Sequence, residues 1–337
     1  MAMQFGVCDI AVDPTDRFIE LVRYMEGSGY EYLWVVDCVL HSRDTFAYLG
    51  AATQHSQRLK LGTNIVNPVS RHPAVNLVGI TTIDDLTRGR AVFGVGLGSD
   101  SYLKEIGEPP STRRLVAETV VQCRRLLAGE TVTFAGERFA LEQARLRYHT
   151  EARAIPIYVA ATGPKMLELG GEVGDGVFVH VGAHPKTVGY AQERIRAGAE
   201  RAGRDPGGLD VSLFLFCSIG PDRAECLDDC RMATALIVSR VPDYARVMGY
   251  DARRVDEIRE TWKRTSSAAT AGTLVPDAWV EDLNLVGSPA DVIRKVEALA
   301  AIGVNHLTIL PRGHSEGGRP RIETVRAFAE QVIPKFR

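Results

Sequence analysis

The stretch AATGPKMLELGG, residues 160–171, closes an apolar run, turns at a Gly-Pro pair and continues with the spacing of an amphipathic helix. Proline is favoured at a first helical position, because the amide it lacks would have no intrahelical acceptor there. With Pro164 in that place, the amides of Lys165 and Met166 are expected to face outward at the end of the preceding strand, at the positive end of the helix dipole. A phosphate or carboxylate suits such a turn. Capping by Thr162 or by water serves it equally well, and this segment alone does not choose between them.

Outward from this turn the same strand-turn-helix unit recurs. The runs MQFGV, YLWVVD, LKLGTN and AVFGV precede helical patterns over 15–28, 44–55, 73–87 and 111–128. IPIYVAA, GVFVHV, LDVSLFLFC and HLTIL precede 164–172, 185–202, 222–240 and 321–335. The strands are continuously apolar rather than alternating, which is the pattern of parallel strands covered by helices on one face and filled by their neighbours on the other. Pro73 repeats the start at Pro164, and GSPADVIRKV offers Ser288 as cap, then Pro289 and acidic Asp291. Eight such units predict an α/β fold, a (β/α)8 TIM barrel forming a single domain over 1–337. Two stretches interrupt the repeat. Residues 129–150 read as a small hairpin, and 241–287 as a helical insertion before the eighth strand, placed either to cover the barrel mouth or simply to pack beside it.

Composition excludes several partners. With 45% hydrophobic and 24% charged residues the chain reads as globular, and its net charge of -2 offers no field for a nucleic acid backbone. No apolar stretch approaches the roughly 20 residues that span a bilayer, so a small molecule is the expected partner. The start, MAMQFGVCDIAV, lacks a basic leader and reads as a strand of a cytoplasmic protein. The six cysteines contain no CxxC pair; Cys226 and Cys230, four apart on a helix, read as reduced thiols rather than metal ligands.

In a barrel of this kind the site lies at the C-terminal ends of the strands. Polar residues there are Asp9 after the first strand, Asp37, Cys38 and His41 after the second, and Asn64 and Asn67 in TNIVNPVSRHP after the third. GVGLGSDSY follows the fourth, His180 ends the sixth and Arg312 the eighth. Gly94, Gly96 and Gly98 do not make a dinucleotide fingerprint, since position 99 is Ser. His180 and His184 straddle a strand end and a loop, which is no metal pair. Arg312 opens a run, GHSEGGRPR, that reads as a solvated loop or as an anchor for an anionic substrate or cofactor tail.

Taken together, TNIVNPVSRHPAV, TTIDDLTRGRAVFGVGLGSDS, IPIYVAATGPKMLELGGEVGDGV and LVGSPADVIRKVEALAAIGVNHLTIL resemble the bacterial luciferase-like oxidoreductases, in the branch similar to methylenetetrahydromethanopterin reductase. The resemblance implies coenzyme F420, an 8-hydroxy-5-deazaflavin, or alternatively FMN, and a homodimer. It implies hydride transfer between F420 and a small organic substrate at the barrel mouth. An FMN-dependent monooxygenase and a non-catalytic flavin-binding barrel are the alternatives. On this resemblance Thr162, Gly163, Pro164, Lys165 and Met166 hold the cofactor phosphate, and Asp37 and Asn67 contact the deazaflavin or its side chain. Leu97, Gly98, Ser99 and Tyr102 line the ribityl region, and a non-prolyl cis peptide joins Asn64 to Ile65. Cys38 stands where several deazaflavin reductases carry histidine, and Ser99, followed by Asp100, where some carry an acid. Asp37, Cys38 and Asp100 are therefore candidates for tuning the ring, and Asp9, His41, His180 and Arg312 for meeting the substrate.

Overall fold

A computed structural model describes residues 3–148, 152–265, 267–313 and 320–337. The strands in chain order are β1 Gln4–Asp9, β2 Tyr32–Val35, β3 Lys60–Thr63, β4 Ala91–Val95, β5 Val132–Ala135, β6 Ala140–Ala144, β7 Ile157–Ala161, β8 Gly176–Val179, β9 Asp210–Ile219, β10 Leu285–Gly287 and β11 His306–Pro311. β1, β2, β3, β4, β7, β8, β9 and β11 pair in parallel in that order, and the pairing of β11 with β1, Gln4 opposite His306, closes the barrel. β5 and β6 form the expected antiparallel hairpin.

The barrel is filled rather than hollow. Trp34 stacks on Tyr32 at 5.3 Å and meets Phe178 edge-on at 4.5 Å between ring centroids. Its indole occupies space that a side chain beside it on β3 would need: a Cβ on Gly62, the register partner of Trp34, would stand 2.4 Å from the ring. Below it, His306 Nδ1 lies 3.0 Å from Asp210 Oδ2, Tyr158 donates its hydroxyl to the same carboxylate, and Lys60 donates to the Tyr32 hydroxyl at 2.8 Å. These groups bond one another at the N-terminal end of the barrel, where a structural role is the rule, although His306 Nε2 is buried without a partner.

Helix starts follow the local chemistry. Pro73 opens its helix with His72 Nδ1 accepting the Ala74 amide at 3.1 Å, and Ser288 and Asp291 make a reciprocal capping box. No helix among the described residues is long and apolar enough to cross a membrane.

The seventh unit differs from the sequence pattern. The helix between β9 and β11 in the outer ring is Pro289–Ala300, which packs between Pro185–Arg201 and the C-terminal turn Phe328–Val332. Helix Arg223–Arg240, expected in that place, packs on β9 and β10 and is covered by four further helices, Pro242–Met248, Ala252–Thr265, Ala268–Gly272 and Asp277–Leu283. Two interactions take it out of the ring. β10 pairs with Cys217–Ile219 at the far end of the long β9, and Asn284 Nδ2 donates to Thr234 Oγ1 at 2.7 Å. Its buried residues, from Cys226 through Val238, run around the helix rather than along one stripe, as they must when it is covered on several sides. The insertion thus begins near residue 223 and not at 241.

Candidate active site

The C-terminal ends of β2, β3 and β4 form one wall of the mouth. After β2, Asp37 carries a buried Oδ2 with no hydrogen-bond partner. Burial raises its carboxyl pKa, opposed by the nearby charge of Arg71 and reinforced by Asp44. The Cys38 thiol is pushed up to about 11, chiefly by burial and then by Asp37. That shift favours the protonated thiol at neutral pH. His41 is turned to the rim, stacked on Tyr102 at 4.1 Å with Nε2 2.9 Å from Glu105 Oε2. It stitches the loop after β2 to the helix Asp100–Glu105.

Next along the wall, the Asn64–Ile65 peptide is cis, and Asn64 Nδ2 is buried and unpartnered. A Cβ at Gly96 would stand 3.1 Å from both Ile65 and Ala160, so the backbone here comes as close as glycine permits. Asn67 Oδ1 accepts the amides of Val69 at 3.0 Å and Ser70 at 2.8 Å, while its carbonyl accepts from Asn76 Nδ2. That oxygen shapes the turn, and Gly98, at φ +76°, passes against the Asn67 side chain. Leu97 is half-buried, Ser99 Oγ lies 2.8 Å from Ser101 Oγ, and Asp100 is exposed in the first turn of its helix.

Beside β4, the turn after β7 begins helix Pro164–Val173 without a side-chain cap. The Met166 amide is not free, as Pro164 had suggested; it donates to the Gly163 carbonyl at 3.0 Å, because the first turn tightens by one residue. The Gly163 and Lys165 amides have no protein acceptor among the described residues. A Cβ on Gly163 would meet nothing within 4 Å, so the turn is open in front, while from behind Tyr244 of the insertion donates its hydroxyl to the Thr162 carbonyl. The Lys165 side chain is exposed and Met166 is buried.

The remaining strands supply the far side. His180 lies edge-on to Phe214 at 5.2 Å and beside Phe216 at 5.3 Å, with its Nε2 buried and unpartnered. Burial, with a smaller contribution from Arg240, pushes its pKa down to about 4, so the imidazole is neutral. Asp9 accepts the Ala11 amide at 2.7 Å, and burial pushes its carboxyl up to about 6. Arg312 is packed rather than solvated: its Nε donates to the Asp229 carbonyl at 3.2 Å and its guanidinium stands 5.9 Å over Phe216. Residues 314–319 of the following loop lie outside the described residues.

The arrangement fits a flat ligand with an anionic tail. Unpartnered Asp37 Oδ2 and Asn64 Nδ2 offer an acceptor and a donor to a ring edge, Gly96 and Ile65 offer a surface, and the uncapped helix start offers amides to a phosphate. A family model described as "Luciferase-like monooxygenase" matches residues 3–306. The chain belongs to the luciferase-like monooxygenase family. Among its relatives, the 5,10-methylenetetrahydromethanopterin reductase of Methanolobus tindarius is 31% identical, over 98% of this chain and 100% of that one. The F420-dependent glucose-6-phosphate dehydrogenase of Nakamurella multipartita is 26% identical over 100% of this chain and 94% of that one. The solved coenzyme F420-dependent tetrahydromethanopterin reductase of Methanopyrus kandleri superposes with a TM-score of 0.85 at 26% identity, each chain covered completely.

Four residues near this luciferase-like mouth carry no signal in the sequence: Phe214 and Phe216 beside His180, Tyr244 on the Thr162 carbonyl, and Arg240, whose charge acts on His180 and Tyr102. The two phenylalanines were hidden in an apolar strand. The other two belong to helices that read as outer-ring or packing helices, and no local signal marks them as facing the mouth.

Proposed function

We propose that this luciferase-like oxidoreductase transfers a hydride between coenzyme F420 and a small organic substrate at the C-terminal mouth of the barrel. The observation that carries the reading is the open, uncapped helix start after β7, whose Gly163 and Lys165 amides have no protein acceptor among the described residues. The names of the F420-dependent relatives support it.

Bound there, the deazaflavin supplies the hydride chemistry. The chain's own residues hold, orient and shield. Gly163 and Lys165 amides bind the phosphate, aided by the helix dipole. Asn64 Nδ2 donates to the ring edge, and Asp37, whose carboxyl is raised by burial, holds or accepts a proton at Oδ2. Ile65 and the Gly96 backbone orient the ring from one side. His180, neutral between Phe214 and Phe216, keeps Nε2 for a hydrogen bond to substrate. The insertion excludes water, which strengthens each of these polar contacts. The same reading includes a cytoplasmic homodimer acting on small molecules.

Fluorescence titration tests it: F420 should bind at least tenfold more tightly than FMN, and a protein that binds neither ends the proposal. The family description favours one second reading, an FMN-dependent monooxygenase. Oxygen consumption on adding reduced FMN and candidate substrates would establish that reading instead.

A further inference from the structure

Helix Arg223–Arg240 ends at the barrel mouth. Four residues beyond it, Tyr244 is bonded to the Thr162 carbonyl, and the His180 amide donates to the adjoining Ala161 carbonyl at 3.1 Å. Arg240 is therefore delivered to the ends of β7 and β8. Its charge acts on both His180 and the Tyr102 phenol, which come from different sides of the mouth.

Among the described residues the Arg240 guanidinium has no carboxylate, carbonyl or ring partner. Its neighbours behave differently: Arg231 holds Asp228 at 2.7 Å and Arg246 holds Asp243 at 2.8 Å. Arg240 is exposed; its charge reaches the buried His180, whose Nε2 has no partner, and its chain neighbour Ser239 carries a second buried, unpartnered atom in Oγ. A buried polar atom left unmade costs about 1–3 kcal/mol, which a ligand that satisfies it recovers.

We propose that Arg240 is the anion anchor of the substrate pocket, and that the substrate is an organic acid. Its apolar body lies against Phe214 and Phe216, a polar group meets His180 Nε2, and a carboxylate or phosphate pairs with the guanidinium. The assignment rests on the proposed function in taking this side of the mouth as the substrate side. An anion on Arg240 has one other source, the phosphate of the cofactor tail, and the test separates the two.

Calorimetric titration of the F420-saturated protein with benzoate and its neutral counterpart benzamide is the experiment. Wild type should prefer benzoate by about tenfold or more, the range of a charge-assisted pair. Arg240→Gln should erase the preference and Arg240→Lys should keep part of it. Equal affinities in wild type, or an undiminished preference in Arg240→Gln, overturns the proposal. In parallel, F420 and the deazaflavin riboside lacking the phosphate tail are titrated by fluorescence. Arg240→Gln should bind each within twofold of wild type; a tenfold loss confined to F420 assigns Arg240 to the cofactor tail and overturns the substrate assignment. Failure of wild type to bind F420 ends the functional reading separately, and the benzoate preference of the free protein then still decides the role of Arg240.

Discussion

The Tyr244 hydroxyl, carried by the insertion, donates a hydrogen bond to the main-chain carbonyl of Thr162 at the end of β7. One bond thus joins the insertion to the turn whose Gly163 and Lys165 amides have no protein acceptor among the described residues. Tyr244 is fully buried and also meets Tyr190 edge-on at 6.1 Å, so the ring is held independently of its hydroxyl. Tyr244→Phe should keep the ring packing and lose about 1 kcal/mol of stability in denaturant unfolding. F420 affinity should drop several-fold as the turn loosens. Unchanged affinity would mean that the insertion does not position the turn.

Gly163 offers a sharper test, because helix stability and anion binding pull in opposite directions there. At φ -85° and ψ 159° it is an N-cap without a side-chain acceptor, and an added side chain would enter open space. Gly163→Asp supplies the missing cap, so stability should hold or rise by about 0.5 kcal/mol. The same carboxylate occupies the amides and repels a phosphate, so F420 affinity should fall at least tenfold while the tail-less deazaflavin riboside binds as before. Equal losses for both ligands would remove the phosphate from this turn.

Two buried groups at the mouth titrate against each other. Burial moves Asp9 from 3.8 to about 6 and His180 from 6.5 to about 4. Between these limits folded Asp9 holds a proton that the unfolded chain has released, so its contribution to stability falls as pH rises. Folded His180 lacks a proton that the unfolded chain holds, so its contribution rises with pH over nearly the same window. Each amounts to about 2–3 kcal/mol, and the two largely cancel in wild type. Asp9→Asn should therefore expose a rising stability limb between about pH 4 and 6.5, and His180→Phe a falling one between about pH 4 and 6. Urea unfolding at closely spaced pH values reads both, and three parallel profiles would contradict the assignment.

The barrel interior makes a prediction of its own. A Cβ on Gly62 would lie 2.4 Å from the Trp34 ring and 2.7 Å from the Val92 carbonyl, neither of which has room to retreat. Gly62→Ala should cost about 2–3 kcal/mol, with a changed Trp34 emission. Gly50, inside helix Thr45–Thr53, has nothing within 4 Å of a new Cβ. Gly50→Ala should instead stabilise by about 0.5–1 kcal/mol. Equal effects at the two positions would show that Trp34 does not fill the barrel as described.

Much of this was legible in the chain. Pro73, Pro164 and the Ser288–Asp291 pair mark helix starts because capping is settled within four residues, and the continuously apolar strands announce a doubly covered parallel sheet. Candidate positions at strand ends followed from the fold class alone, as Asp37, Asn64 and His180 illustrate. Even the role of Asn67 is local: its side chain closes a turn of its own neighbours.

What the sequence by itself determined, then, was the succession of units and the strand ends where a site would lie, since both depend on contacts near in the chain. Only the tertiary structure decided that helix Arg223–Arg240 leaves the outer ring. Its length and position are those of a barrel helix, and the decision rests on β10 pairing with the end of β9 and on Asn284 reaching Thr234, fifty residues away. That displacement brings Arg240 and Tyr244 to the mouth. A lone arginine at a helix end acquires meaning only when the fold shows which charges it meets and that, among the described residues, none of them is a carboxylate.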